Sequence, residues 1–316
     1  MIRSEWAFQD AAGVSIHVYG WQPNPPRNPW AVVQIAHGMV ETAKRYERFA
    51  SALTAAGISV YANDHRGHGR TTGETDRLGK LEMEDFDWML RDLKELTADI
   101  RVRHPNVPIV LFAHSMGSFL AQQYITDPDA RLDAVILSGT HGKFDWSTRL
   151  GSLVAAWEVH RRGAQTPSPL LDRLIFGSFN RRIVSPRTSK DWLTRDTDEV
   201  DRYIANPMCG FMLSAGFYRG FFRGLAGMHK RKRLRRIPRD LPVLILAGTD
   251  DPVGEYGRSV RKLMRTYQRL QMTEVTCRWY SGARHELLNE TCRDGVTQDV
   301  LNWVQDFAKR RVGSMH

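Results

Sequence analysis

Val107-Pro108-Ile109-Val110-Leu111-Phe112-Ala113-His114-Ser115-Met116-Gly117-Ser118-Phe119 is the stretch whose reading decides the fold. An apolar run from Ile109 stops at Ala113-His114-Ser115-Met116-Gly117, and a helical pattern follows it. A serine flanked by small residues at a strand-to-helix turn is the layout of a nucleophile elbow. The tight turn strains the serine backbone and lifts its hydroxyl clear of the sheet. Bulky side chains two positions either side would collide, and here those positions are Ala113 and Gly117. Alanine replaces the usual first glycine, the smallest change available. A serine nucleophile needs a histidine, an acid and an oxyanion hole, so the rest of the chain is a test of this reading.

Working outward, residues 4–22 alternate apolar and polar around Asp10-Ala11-Ala12-Gly13, which predicts an opening hairpin. Apolar runs at Trp30–Ala36, Ile58–Ala62, Ile109–Phe112, Leu132–Leu137, Leu241–Leu246 and Val275–Tyr280 predict strands. Between them, spacings of three and four predict helices: Tyr46, Phe49, Ala50, Leu53 and Ala56, then Phe86, Met89, Leu90, Leu93, Leu96 and Ile100. Further helices are expected over 119–125, 257–270 and 294–310. Strands alternating with helices imply an α/β fold, a mostly parallel sheet covered on both faces. Sites in such sheets form at the carboxyl ends of the strands. The alternation breaks over residues 142–236, rich in arginine and aromatics, which reads as an inserted helical cap. The α/β core is then residues 1–141 and 237–316.

The remaining parts of the site follow two late strands. Thr249-Asp250-Asp251-Pro252 comes after one, and Ser281-Gly282-Ala283-Arg284-His285 after the other. The chain order serine, acid, histidine is that of an α/β-hydrolase triad. His285 would take the Ser115 proton, and a carboxylate would hold its tautomer and stabilise the imidazolium. Asp251 is favoured over Asp250, because Pro252 biases the preceding residue to an extended conformation that fixes the carboxylate's direction. The oxyanion hole needs two backbone N–H groups. Met116 follows the nucleophile, and Met39 follows His37-Gly38 at the end of an early strand. Asp64-His65-Arg66-Gly67-His68-Gly69 lacks the glycine spacing and Lys-Ser/Thr pair of a phosphate loop, and reads as a structural support of the site.

Composition bounds the partners. The chain has 316 residues, 42% hydrophobic, with a net charge of +10. No run of 18 apolar residues predicts a spanning helix, and the first residues lack a signal-peptide core. Cys209, Cys277 and Cys292 lie far apart with no CxxC pair, which points to reduced thiols in a cytoplasmic protein. Without clustered ligands no structural zinc, and with this chemistry no cofactor, is implied. The basic run His229-Lys230-Arg231-Lys232-Arg233-Leu234-Arg235-Arg236 reads first as a solvated helix end, next as a contact with anionic membrane. No nucleic-acid motif accompanies it. In the cap, Phe217 and Phe221 share a stripe with Leu213 and Leu225 that Phe211 leads into, and Leu153 lies on another with Leu150 and Trp157. Both read first as cap-to-core packing and next as an apolar wall around an acyl chain, with Phe211, Phe217, Phe221 and Leu153 as its candidates.

Ala36-His37-Gly38-Met39 with Glu41, Tyr46–Ala50, Asn63–Gly69, His114–Gly117 and Arg284–Glu290 together resemble the monoacylglycerol lipase and lysophospholipase branch of the α/β-hydrolases. In the cap, Trp192–Asp196 and Asn206–Phe211 resemble its bacterial members. The likeness runs from Trp6 to about Phe307, and Ala113 is its one departure at the elbow. It implies a serine carboxylester hydrolase with Ser115, Asp251 and His285 as triad and Met39 and Met116 at the oxyanion hole. The implied substrate is a monoacyl lipid, a monoacylglycerol or a lysophospholipid. A general short-chain carboxylesterase and an acyltransferase on the same triad are the alternatives, followed by a non-catalytic ligand receptor.

Overall fold

A computed structural model describes residues 1–26, 28–142 and 146–313. Residues 143–145, at the start of the expected cap, lie outside the described residues. Eight strands form one sheet in the order β1-β2-β4-β3-β5-β6-β7-β8. They are β1 (Ile2–Gln9), β2 (Ser15–Gln22), β3 (Ala31–Ala36), β4 (Ile58–Asn63), β5 (Ile109–His114), β6 (Ala134–Ser138), β7 (Val243–Gly248) and β8 (Val275–Tyr280). β1 and β2 are the predicted hairpin, its turn closed by Asp10 Oδ1, which accepts from the Ala12 and Val14 N–H groups. β2 also runs antiparallel to β4; from β4 to β8 every pairing is parallel.

Five helices pack on this sheet: α1 (Glu47–Ala55), α2 (Asp85–Arg103), α3 (Met116–Tyr124), α9 (Arg258–Arg269) and α10 (Arg293–Gly313). Strand side chains alternate in direction, so each central strand feeds two cores. Val33, Val110 and Leu244 face α1 and α10, where Phe49, Leu53, Val300 and Val304 are buried. Val32, Leu111 and Ile245 face the opposite way, toward Leu93 and Leu96 of α2 and Leu263 of α9. Burial on both faces is why these strands read as unbroken apolar runs. Between β6 and β7 the described chain holds α4 (Trp146–Arg162), α5 (Pro169–Phe176), α6 (Thr197–Ala205), α7 (Ala215–Met228) and α8 (Arg231–Leu234), and no strand.

Leu93 and Leu96 carry the sheet-facing stripe of α2 and are fully buried. Leu93→Ala should lower the unfolding free energy by about 2–5 kcal/mol, since it removes apolar contact and leaves a cavity. Urea unfolding at neutral pH measures this, and a loss below about 1 kcal/mol would show that α2 is not fixed by that stripe.

Candidate active site

β5 ends at His114, and Ser115 turns the chain with φ 50° and ψ −117° into α3. A non-glycine residue there is strained by about 1–3 kcal/mol. The turn is held by a hydrogen bond from the Ser115 N–H to the Ser138 carbonyl, 2.9 Å. The Ser118 hydroxyl also donates to the Ser115 carbonyl, 2.6 Å. Gly117 lets α3 sit on the end of β3, for a Cβ there would lie 2.2 Å from the Ala36 carbonyl oxygen. Ala113 faces the apolar core and is fully buried, so alanine fits where glycine is usual.

His285 and Asp251 come from the loops after β8 and β7, and His285 Nδ1 lies 3.0 Å from Asp251 Oδ1. Both are buried, whereas Asp250 is exposed. The same carboxylate oxygen accepts the Val253 N–H at 2.9 Å, which fixes its aim. Burial would depress the His285 pKa, but the carboxylates around it, Asp251 foremost with Glu286 and Glu41, together raise it above its ordinary value. With Nδ1 held by Asp251, Nε2 is left for the pocket that His285 shares with Ser115. The imidazole's hydrogen bond runs to Asp251 rather than to Ser115. The rings of His114 and Trp192 lie 4.7 and 5.1 Å from that of His285.

Met39 and Met116 line one cavity with Ser115. Gly38 permits the close approach: a Cβ on it would lie 3.3 Å from the Ser115 Cβ. Its N–H is taken by Glu41 Oε1 at 2.5 Å. The N–H groups of Met39 and Met116 have no intramolecular acceptor among the described residues. Two unclaimed donors at the mouth of a helix can receive a developing oxyanion.

Sequence reasoning missed the buried ion network behind these loops. Arg45 holds Glu286 with two hydrogen bonds of 2.7 and 2.6 Å and Glu41 with one of 2.6 Å. Burial would raise the Glu286 pKa, yet the Arg45 guanidinium holds it down to about 2. Glu41 also accepts the Tyr46 hydroxyl, 2.9 Å. The network joins the oxyanion loop, the turn before α1 and the residue after His285. The quoted motifs contain Glu41, Tyr46 and Glu286 but not Arg45, and spacing alone does not pair residues 41, 45 and 286. The Asp64–Gly69 loop braces the same region. His68 Nε2 accepts the Val40 N–H at 3.1 Å, and His37 Nε2 accepts that of His65 at 2.9 Å. Their Nδ1–H groups donate to the Arg66 and Gly38 carbonyls.

The cavity over Ser115 is about 420 Å³. Phe221, Phe222 and Leu225 of α7, Leu150 of α4, and Leu174 and Ile175 of α5 line its walls. Of the four expected wall residues, Phe221 is there and three are not. Phe217 is fully buried and packs between Phe86, Tyr218 and Phe221. Phe211 packs edge-on against His68 instead. Leu153 points outward and is 68% exposed.

The parallel sheet, the elbow and the loops after β7 and β8 define an α/β-hydrolase. The chain belongs to the serine aminopeptidase S33 family (Hydrolase_4), which matches residues 27–292. It is 28% identical to the monoacylglycerol lipase of Mycolicibacterium smegmatis over 96% of this chain and 97% of that one. A lipase solved in its open form superposes with a TM-score of 0.87 at 27% identity, covering 97% of this chain and 99% of that one. A thermostable carboxyl esterase from Bacillus coagulans, solved with glycerol, gives 0.85 at 27% identity over 98% and 99%. The protein is a serine hydrolase of the lipase and esterase type. Among the described residues no helix is long and apolar enough to cross a membrane, and the three cysteines are free.

Four buried histidines set an acid limit. Burial pushes His37 and His65 well below the ordinary histidine value, His68 to about 4 and His114 to about 3. Each is neutral when folded and takes up a proton on unfolding below a pH of about 6.5. Their stabilisation is present above that pH and lost as pH falls; His285, with a raised pKa, acts in the opposite sense. Urea unfolding should therefore show stability falling by a few kcal/mol between about pH 6.5 and 5. A flat profile would mean these histidines are protonated in the fold.

Proposed function

We propose that Ser115, His285 and Asp251 hydrolyse the ester of a monoacyl lipid, monoacylglycerol or lysophospholipid, through an acyl-enzyme. The observation that carries this is the His285–Asp251 pair, whose imidazole shares a pocket with the strained Ser115, while Ser115 also lines a 420 Å³ cavity with apolar walls. Ser115 Oγ attacks the ester carbonyl while His285 Nε2 takes its proton. Met39 and Met116 N–H groups hold the oxyanion, and collapse expels the alcohol, protonated by His285. Water activated by the same imidazole then attacks the acyl-enzyme and releases the fatty acid.

Acyl-chain binding is supported by the cavity walls, and its size lies in the range of sites for small ligands. Similarity to a monoacylglycerol lipase supports the monoacyl class. In this reading residues 142–236 act as the lid, because the walls from α4, α5 and α7 all belong to that segment. Leu150 and Leu174 line the cavity yet are 47% and 50% exposed, which makes them its rim. Exposed Leu153 and Trp157 extend the rim along α4, and Leu170 extends it on α5. An exposed apolar rim of this kind suits peripheral contact with a lipid surface.

Ser115→Ala should abolish ester hydrolysis and labelling by a fluorophosphonate probe; undiminished labelling would overturn the mechanism. Asp251→Asn should lower kcat by about 10³–10⁴ through loss of the correct tautomer. Its acid limb, which in the parent lies above the usual histidine value, should move down. A panel of p-nitrophenyl esters, monoacylglycerols and lysophospholipids, with alcohols as competing acceptors, separates lipase, short-chain esterase and acyltransferase.

Leu153→Asp should lower turnover of lipid presented in vesicles by about tenfold and leave that of a soluble short ester unchanged, because a charge at an apolar rim costs several kcal/mol to bury. Equal turnover on vesicles would remove the rim from substrate capture.

A further inference from the structure

We propose that the groove between α2, the end of α3, α7 and α8 is a binding site for a compact ligand bearing several phosphate charges. The groove is about 500 Å³ and shares no lining residue with the cavity over Ser115. Arg91, Lys94, Arg223, Lys230, Arg233 and Arg236 line it, against two carboxylates, Asp87 and Asp127. Those carboxylates are already engaged, Asp87 by Arg223 at 2.7 Å and Asp127 by Lys94. Arg91, Lys230, Arg233 and Arg236 make no ion pair among the described residues. Arg91 instead lies over the Trp88 ring, 4.3 Å from its centroid.

Like charges converging on one concavity repel, and a multiply charged anion turns that repulsion into attraction. Arginine forks suit phosphate in particular, because they donate two parallel hydrogen bonds to its oxygens. A second observation points the same way. Gln123, at the end of α3, lines the groove and is 7% exposed, and its Nε2 has no hydrogen-bond partner. A buried amide donor without an acceptor costs about 1–3 kcal/mol; this one lies against Gly224, which also lines the groove, so an anion oxygen entering between the two would satisfy it.

The site also gives the basic run a use. Lys230, Arg233 and Arg236 recur every three residues and face the groove, while Arg231, Lys232 and Arg235 do not line it. α7 sits close enough to α2 to form the wall because Gly224 has no side chain: a Cβ there would lie 2.4 Å from the Phe86 ring.

The run supplies its own control. Isothermal titration with inorganic tripolyphosphate should show saturable binding of one ligand. Arg91→Ala/Arg233→Ala should weaken it by about tenfold or more, as expected for losing charge-assisted hydrogen bonds. Gln123→Glu, nearly isosteric, should weaken it as well. Arg231→Ala/Arg235→Ala, which removes the same charge, should change it less than about twofold. All variants should keep the parent's turnover of a soluble short ester, which separates loss of the site from misfolding and from failure of the catalytic reading. Vesicles carrying phosphomonoester head groups locate the source. Vesicle binding displaced by tripolyphosphate supports the site and assigns it a lipid head group. Tripolyphosphate binding without vesicle binding supports it with a free solute. Equal weakening by both double variants, unsaturable binding, or vesicle binding that tripolyphosphate leaves intact would overturn the proposal.

Discussion

The contact on which the catalytic face depends is that of Gly117 with the end of β3. The first turn of α3 lies so near the Ala36 and His37 carbonyls that a methyl group would sit 2.2 and 2.7 Å from their oxygens. This closeness fixes the serine turn against the loop that carries Met39. Two segments remote in sequence then line one cavity, Met39 from one and Met116 from the other. A shift of even 1 Å between them would spoil that geometry, and misplacement on this scale costs catalysts orders of magnitude. The strain at Ser115 persists because β5, α3 and the Ser138 carbonyl over-determine the turn.

Charge placement does the rest. Arg45 between Glu41 and Glu286 is buried, and buried ion pairs contribute little net stability once desolvation is counted. What this one contributes is position. Glu41 consumes the Gly38 N–H, so the next donor along the loop, Met39, is left for the cavity. Glu286 is tied down one residue past His285, which limits how that loop can move. His37 and His68 act in the same way, as neutral hydrogen-bond brackets between loops. The carboxylates around His285, with Asp251 hydrogen-bonded to it, give it a different electrostatic character from its neighbours.

The sheet was legible because burial on both faces leaves a plain sequence trace. β7 was read as Leu241–Leu246 and forms over Val243–Gly248; the helix read over 257–270 forms at Arg258–Arg269. His285, Asp251 and Ser115 were legible as residues because each follows a strand. The segment between β6 and β7 was legible only as helical. On α4 the usual amphipathic rule inverts: Thr148, Gly151, Ala155 and Glu158 are buried, and Leu153 and Trp157 are exposed. Gly151 meets the Phe222 ring, and Glu158 accepts the Ser168 hydroxyl at 2.7 Å. A spacing of three and four identifies a stripe but not which stripe the neighbours cover. Phe217 and Phe221 share a face for the same reason, yet one turn separates core from cavity wall.

α7 therefore has two jobs that its sequence interleaves. Phe221 and Leu225 face the cavity over Ser115, and Arg223, Gly224 and Gly227 face the basic groove. Toward α2 the helix is already at its limit, since Gly220 and Gly224 leave no side chain to compress against Met83 and Phe86. Close-packed interiors resist compression, so any displacement of α7 runs away from α2.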